Sequence, residues 1–392
     1  MKKKSVWLLA LLLALLALVG CQKELKEPTN LSFPGLGVEP FSVDKIAFSI
    51  GPIEVRWYGI AVTLGIVAAF LYAAWRGKKN EGVTFDDVID IGLFTVILGV
   101  IGARAYYVLT TIGEKDAYGN LIYDYDSFID VIAVWNGGLA IYGGIIGGCI
   151  GIVIACLIKK IPWQRAFDMI GPGVMLAQAI GRWGNFFNGE AYGYRINEVT
   201  QYYFFNSEHF LPSGEGSFFH TMRMGVSHHS VPIYSYYHPT FLYECVWNIL
   251  GFVLINLFYK RKKYDGQIAL MYFTWYGFGR MFVEGFRTDS LYIPGTTLRI
   301  SQCLGLACFL VGAILLIVFA IRPPVKWRLM GAGEVAKPIE VKERGEEPKL
   351  KDALDGLSDE ETNGDPLEGV EIDSTEEDPL NGIPDDEEKN RK

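Results

Sequence analysis

The stretch GRWGNFFNGE, residues 181–190, closes an apolar run with four strongly polar side chains, Arg182, Asn185, Asn188 and Glu190. The residues before it, GPGVMLAQAI, have the composition of a membrane helix, and a hydrocarbon environment penalises each of the four. Arg182, Asn185 and Asn188 recur at every third position, so they fall close to one helical face. Asn188-Gly189 reads as a helix stop, which puts Glu190 in the exit loop. A guanidinium in such a place grips an anion bidentately and keeps its charge where water is scarce. Snorkelling to the interface would account for Arg182 alone, but not for the amides and the carboxylate beside it.

A second stretch repeats the situation. YGFGRMFVEGFR sets Tyr276, Arg280, Glu284 and Arg287 at spacings of four, four and three, one helical stripe. Its plainer reading is an internal Arg280–Glu284 pair that holds a bundle together. Further candidates are Tyr58 in RWYG, Arg104 in GARAYY, Asn136 and Tyr142 in WNGGLAIYGG, and His238, Tyr243 and Glu244 in HPTFLYE. Singly, each has an ordinary explanation: tyrosines form interfacial belts, and Pro239 starts a helix. Together they fall at one level of one membrane face, and arginines with amides at that depth suit a phospholipid headgroup.

Holding these residues requires a particular scaffold. Half of the 392 residues are hydrophobic and 14% are aromatic. Seven apolar segments near the roughly 20-residue length of a membrane span follow at about 57–75, 88–109, 138–158, 166–187, 239–259, 265–286 and 300–321. The expected fold is all-α, a polytopic membrane protein with a seven-span helical bundle over residues 45–325. Basic clusters occur in alternate loops: Arg76, Lys78 and Lys79; Lys159, Lys160 and Arg165; Lys260 to Lys263; Arg322, Lys326 and Arg328. The positive-inside rule then puts the core's N-terminus outside and its C-terminus in the cytoplasm. Both polar stripes fall at the outer ends of outward-running spans.

The flanking segments have their own readings. MKKKSVWLLALLLALLALVGC, residues 1–21, has a basic start, a short apolar core and small residues before Cys21, the form of a secretory signal with a lipobox-like end that marks Cys21 for lipidation. Residues 22–44 read as an outer-face tether. Residues 189–238 are too aromatic for a linker and are expected to fold into a small outer-face cap. The formal charge of −8 comes largely from residues 326–392, where no aromatic follows Trp327; such a composition reads as a disordered acidic tail on the cytoplasmic side.

No metal or diffusible cofactor is expected, and no nucleic-acid partner. Cys149, Cys156, Cys245, Cys303 and Cys308 lie in apolar segments as small hydrophobes, and His209, His220, His228 and His229 match no zinc spacing. A transporter of anionic solutes would favour polar residues at the midplane and inverted halves, and neither is visible. A metal-dependent phosphatidyltransferase would call for clustered aspartates in the spans, and none are expected there.

GRWGNFFNGEAYG, RWYG, HPTFLYE and YGFGRMFVEGFR, in this order apart from RWYG standing first, resemble the motifs of the prolipoprotein diacylglyceryl transferase family, over about residues 45 to 325. The resemblance implies a seven-span enzyme of the bacterial plasma membrane. It would move the diacylglyceryl group of phosphatidylglycerol onto the lipobox cysteine of lipoprotein precursor signal peptides, releasing glycerol phosphate. Carried over by motif, Arg182, Asn185, Glu190 and Gly193 take the signature positions, with Tyr58, Tyr276, Arg280 and Glu284 from the flanking motifs. Arg182 and Arg280 are expected on the phosphate, and Asn185 and Asn188 on headgroup oxygens. Many members of that family carry a histidine where Tyr142 stands, and a phenol with a pKa of about 10 is a poor base at neutral pH. Either an arginine tunes Tyr142, or it orients a ligand and Glu190 or Glu284 takes the proton.

Overall fold

The computed structural model describes residues 29–322 apart from 52, 116–117, 119, 124, 126, 228–233 and 294. The signal-like segment with Cys21, the first residues of the tether, His228, His229 and the acidic tail lie outside the described residues. Each of the seven apolar segments is a helix: α1 Trp57–Arg76, α2 Phe85–Thr111, α3 Ile141–Lys159, α4 Trp163–Asn188, α5 Thr240–Phe258, α6 Gln267–Val283 and α7 Ile300–Ile321. Five of them, α1, α2, α3, α5 and α7, are long and apolar enough to cross a membrane. α4 carries Arg165, Asp168 and Arg182, and α6 has only 17 residues.

Local chemistry sets the helix ends. Thr84 caps α2 by accepting from the Asp87 amide at 3.2 Å, and the Asp87 carboxylate reaches back to the Thr84 amide at 3.3 Å, a reciprocal capping box. α4 ends as its sequence suggests: Gly189 takes a left-handed φ of 60°, and the amides of Gly189 and Glu190 return to the carbonyls of Phe186 and Asn185 at 3.0 and 3.1 Å. That turn satisfies the last carbonyls of the helix and releases Glu190 from its axis.

Small residues let the helices approach. A Cβ on Gly147 of α3 would lie 2.1 Å from the Leu98 carbonyl oxygen of α2, and one on Gly102 would lie 2.4 Å from that of Gly143. Backbones this close gain dispersion contacts that lipid cannot supply equally. Gly277 of α6 and Gly305 of α7 do the same, each within 2.8 Å of the other's carbonyl oxygen. Gly147→Val is therefore expected to lower stability by about 1–3 kcal/mol through overpacking, read as a fall in thermal midpoint in detergent. An unchanged midpoint would show that α2 and α3 are not so tightly apposed.

The fold departs from all-α outside the long helices, where among the described residues eight short strands make three small sheets. β1 Thr29–Phe33 and β2 Val38–Val43 come from the segment read as a tether. They join β7 Met224–Ser227 and β8 Ser235–Tyr237 in the order β2-β1-β7-β8, all antiparallel, with Leu31 paired to Phe41 on one side and Val226 on the other. Leu31, Phe33, Val43, Met224 and Val226 bury one face of this sheet on Phe186, Phe187 and Phe241 at the ends of α4 and α5. The strands β3 Ile46–Ile50 and β4 Ile53–Arg56 lead into α1, and β5 Val199–Phe204 and β6 Ser207–Pro212 form a hairpin. Its turn puts Phe205 at a φ of 52°, held by the buried Gln302 of α7, which accepts from the Phe205 amide at 3.0 Å and donates to the Tyr203 carbonyl at 2.8 Å.

At the opposite, basic end a carboxylate of the fourth helix meets two others from beyond the ends of the long helices. Asp168 of α4 is fully buried, and its carboxylate lies within 4.8 Å of those of Glu81 and Asp265. The ammonium of Lys262 stands among all three, at 2.6 Å from Glu81, 3.0 Å from Asp168 and 3.3 Å from Asp265. Burial works against that ammonium, but Asp168 and Glu81 outweigh it and hold its pKa above the usual lysine value. Asp168 also accepts from the amides of Gly266 and Ala269 at 2.7 and 2.8 Å, so it caps α6 from a neighbouring helix. The lysine occupies the position a cation would take, and the cluster serves as a fastening.

Candidate active site

The polar stripes of α4 and α6 face each other. On α4, Gln178 stands one turn before Arg182 and donates to the Tyr272 hydroxyl of α6 at 3.3 Å. Tyr272 stacks on Tyr276, the next residue of its own stripe, with ring centroids 5.8 Å apart. One turn on, Arg182 and Arg280 meet at a carboxylate that belongs to neither helix. Glu244 projects from the second turn of α5 and is 4% exposed, so the placement of its charge is decided by its partners. Its Oε1 accepts from Arg280 Nη1 at 2.9 Å and from Arg287 Nη1 at 3.3 Å. Its Oε2 pairs with Arg182 Nη2. One buried carboxylate thus gathers three guanidinium groups.

The three arginines are not equally committed. Arg280 has a second carboxylate in Glu284, at 2.6 Å one helical turn on, so the expected internal pair is present. Arg287 has a second in Asp289, gripped at 3.0 and 2.7 Å through Nε and Nη2. Burial raises the Asp289 pKa, but the Arg287 bonds outweigh it and bring it below the ordinary value. Arg182 has only Glu244 and a 3.4 Å contact with Asn185 Oδ1 among the described residues. It is the arginine best able to turn to an incoming anion, since bidentate binding of a phosphate would replace a shared half of one carboxylate.

Around this centre the exit from α4 builds a rim. Asn185 and Asn188 both donate to Glu190 Oε1, at 3.3 and 3.0 Å, and fix an exposed carboxylate. The amide oxygen of Asn188 is buried without a hydrogen-bond partner among the described residues. A buried acceptor left so is costly unless a ligand hydroxyl supplies the proton. Tyr58, at the start of α1, packs on Gly184, where a Cβ would lie 2.8 Å from its ring, and is in electrostatic reach of Glu190 and Arg182. Tyr142, half-buried at the start of α3, lies 3.1 Å from Ser301 Oγ of α7 and within reach of the Arg280 charge.

The structure therefore brings together Tyr58, Arg182, Asn185, Asn188, Glu190, Tyr276, Arg280 and Glu284, with Tyr142 at the edge. Other candidates have different work. Gly193 is pressed against His238 and Phe286, with no room for a Cβ at 2.7 Å from each, and its amide donates to the His238 carbonyl at 2.9 Å. It fastens the exit loop beside Arg287. Arg104 spends its guanidinium on carbonyls of Asp130, Val131, Gly137 and Gly138 at 2.6–3.1 Å, shaping the loop that leads to Tyr142. The side chain of Asn136 lies outside the described residues.

His238 is fully buried between Thr200 Oγ1 at 2.9 Å and the Tyr243 hydroxyl at 3.2 Å. Burial pushes its pKa down to about 3, so the ring is neutral across the physiological range and joins the β5–β6 hairpin to α5. Because the folded value is depressed, its contribution to stability is complete above the unfolded value near 6.5. It is lost as pH falls toward 3, where the unfolded chain takes up a proton that the folded chain refuses. His238→Gln is expected to flatten the fall in thermal midpoint between pH 7 and pH 4.5. An equally steep acid limb in the variant would assign that limb to other groups.

Sequence reading passed over three contributors. Gln178 and Tyr272 extend the stripes by one turn, and their i, i+4 spacing from Arg182 and Tyr276 was the available sign. Arg299, 1% exposed, donates to the Arg287 carbonyl at 2.9 Å, Ser290 Oγ at 3.0 Å and the Tyr194 hydroxyl at 3.0 Å. It clamps the chain reversal that carries Arg287, and a lone arginine before an apolar run gives no hint of that.

Comparison with known proteins agrees with the motifs. Residues 45–318 match the family model of prolipoprotein diacylglyceryl transferase. The chain is 41% identical over 297 residues to a phosphatidylglycerol–prolipoprotein diacylglyceryl transferase of Lactobacillus johnsonii, covering 74% of this chain and 96% of the relative. The enzyme of the same name from Lactobacillus delbrueckii subsp. bulgaricus is 39% identical over 295 residues, 74% of this chain and 96% of its own. That of Streptococcus uberis is 39% identical over 278 residues, with 70% and 95% covered.

Proposed function

The chain belongs to the prolipoprotein diacylglyceryl transferase family, and we infer that it moves the diacylglyceryl group of phosphatidylglycerol onto the lipobox cysteine of lipoprotein precursors. Glycerol phosphate leaves, and the thioether formed is the first step of lipoprotein maturation. All seven long helices span the bacterial plasma membrane in this reading, with the core's N-terminus outside and its C-terminus in the cytoplasm. Supporting that orientation, Arg76, Lys159, Arg165 and Lys262 cluster at the end of the bundle away from the arginine site. The site then lies level with the outer headgroups, and the residues 189–238 with β1 and β2 form the outer-face cap.

The thiol, with a free pKa near 8.5, attacks the glycerol carbon, and negative charge grows on the departing phosphate. Guanidinium groups fixed around that phosphate stabilise the transition state more than the ground state. Arg182 and Arg280 are assigned to it, with Asn185 and Tyr58 on headgroup oxygens and the free acceptor of Asn188 on a glycerol hydroxyl. The two carboxylates divide by exposure: Glu284 is buried on Arg280 and orients it, whereas Glu190, exposed and fixed by two amides, takes the thiol proton. Tyr142 and Tyr276 position the ligand beside Arg280. The same reading makes Cys21 a lipidation site on the outer face.

The observation that carries this reading is the single buried Glu244 holding Arg182, Arg280 and Arg287 with only Arg182 left to turn. The test uses purified protein in phosphatidylglycerol micelles with a lipobox peptide, and mass spectrometry follows the peptide. A diacylglyceryl adduct on its cysteine is expected. Folded protein that binds the lipid and forms no adduct would leave headgroup binding without chemistry.

A further inference from the structure

We propose that Ser301 is a positioning residue of the reaction: it donates its hydroxyl proton to Tyr142, and Tyr142 thereby turns its own proton toward the departing phosphate. This deepens the transferase reading above and rests on it. The two hydroxyl oxygens lie 3.1 Å apart, Tyr142 at the start of α3 and Ser301 in the first turn of α7. Both residues are half-buried, and the phenol lies within electrostatic reach of Arg280.

The pair joins two parts of the bundle that are fastened separately. α3 packs along α2, and Tyr142 is fixed from that side. The Ala140 amide donates to the Ala103 carbonyl at 3.1 Å, and the Tyr142 ring tilts on Tyr106 with centroids 6.5 Å apart. A Cβ on Gly143 would stand 2.2 Å from the Gly102 carbonyl oxygen, so the backbone beside Tyr142 is pressed onto α2. α7 packs along α6, and two buried side chains, Arg299 and Gln302, hold its first turn. Gln302 donates to the Tyr203 and Met281 carbonyls at 2.8 and 3.2 Å, and Arg299 to the Arg287 carbonyl at 2.9 Å. Neither hydroxyl leaves the other without a shift of its helix pair or of the Tyr142 side chain.

The direction of the bond decides what the phenol offers. Each hydroxyl carries one proton and can also accept. If Tyr142 gave its proton to Ser301, only phenol lone pairs would face the cleft, and they repel a phosphate. With Ser301 as donor the phenol proton is free, and an anion beside Arg280 favours that arrangement. Ser301 has no competing partner: among the described residues its hydroxyl bonds only Tyr142. α7 begins at Ile300, so the carbonyl four residues before Ser301 lies outside the helix, and the usual back-bond of a helical serine is missing. A hydroxyl that accepts one bond is the stronger donor of the next. A phenol with a reference pKa of about 10 is a poor base at neutral pH but keeps the proton that a donor needs.

The bonds exchanged are those of the reading above. The cysteine sulfur bonds to the glycerol carbon, the carbon–oxygen bond breaks, and its electron pair leaves on the phosphate, while the thiol proton goes to Glu190. Tyr142 keeps its proton throughout. It donates a hydrogen bond to the oxygen on which charge grows, a bond that strengthens as the ester breaks.

A double-mutant cycle in phosphatidylglycerol micelles with the lipobox peptide tests this, with thermal unfolding as the check on fold. Tyr142→Phe is expected to lower kcat by about 10²-fold and Ser301→Ala by about 10-fold, both with KM little changed. Ser301→Thr, which keeps the hydroxyl, should retain most of the turnover. In the Tyr142→Phe background Ser301→Ala should cost nothing more, because the proton it turns is gone. Ser301→Ala turning over like the wild type, or Ser301→Thr as slow as Ser301→Ala, would overturn the proposal. So would an equal loss in both backgrounds, or a loss confined to KM, either of which assigns Ser301 to packing. A wild type that forms no adduct would remove the transferase reading itself. A wild type that forms it while the two substitutions add would remove only the role of Ser301.

Discussion

Arg182→Ala is expected to cut turnover of diacylglyceryl transfer by roughly 10²–10³-fold, the loss typical of one fixed charge-stabilising donor, while leaving the fold intact. Both halves follow from the unequal pairing of the arginines. Without Arg182, Glu244 still holds Arg280 and Arg287, so no buried carboxylate is orphaned and the usual penalty for breaking a buried pair is avoided. What disappears is the guanidinium with least commitment to the protein, and with it the charge that follows the phosphate as its ester bond breaks. The loss should fall on kcat more than on KM, because the interaction strengthens as charge develops. Arg182→Lys should recover only part, since an ammonium offers one point of charge where the phosphate takes two parallel bonds. Steady-state kinetics with the lipobox peptide, alongside thermal unfolding in detergent, separates the two effects. A variant that turns over normally would remove Arg182 from the phosphate.

Glu244→Gln should have the larger effect on stability, about 3–5 kcal/mol, the range for taking one partner from a buried ionic cluster. Arg280 would keep Glu284 and Arg287 would keep Asp289. Arg182 would be stranded, and three guanidiniums would face one another around a neutral amide. Phosphatidylglycerol should restore more of the thermal midpoint in this variant than in the wild type, because its phosphate supplies the missing negative charge. A variant as stable as the wild type, with no added gain from the lipid, would mean that Glu244 does not organise the arginines.

The helices were legible because apolar runs near the length of a span admit few alternatives, and the two stripes because polar residues at helical spacing stand out against leucine and phenylalanine. Glu244 was visible as a candidate in HPTFLYE, but its role was not, since a lone glutamate at a helix start says nothing of the partners that two other helices bring to it. Arg104 looked like an anion ligand because bonds to backbone carbonyls leave no trace in side-chain chemistry. Asp168 escaped notice for a related reason: the lysine that satisfies it lies far along the chain, in the loop after α5. The strands at 29–43 read as a tether because their pairing with 224–227 is non-local, and only one of their faces is apolar. Tyr142 remains as the sequence left it on chemistry, but its hydroxyl is matched to Ser301, a partner no motif announced.

Asp168 and Arg182 also bear on how the chain is inserted. α4 carries a buried acid near one end and a guanidinium near the other, and it is not among the helices apolar enough to cross a bilayer unaided. The groups that neutralise them, Lys262 and Glu244, are synthesised only after the cap and in or after α5. In the seven-span reading proposed above, α4 is therefore a segment whose residence in lipid is conditional during translation. It would become permanent when α5 and the following loop arrive, so the pairing that builds the proposed site would also be the step that commits the fourth helix to the membrane.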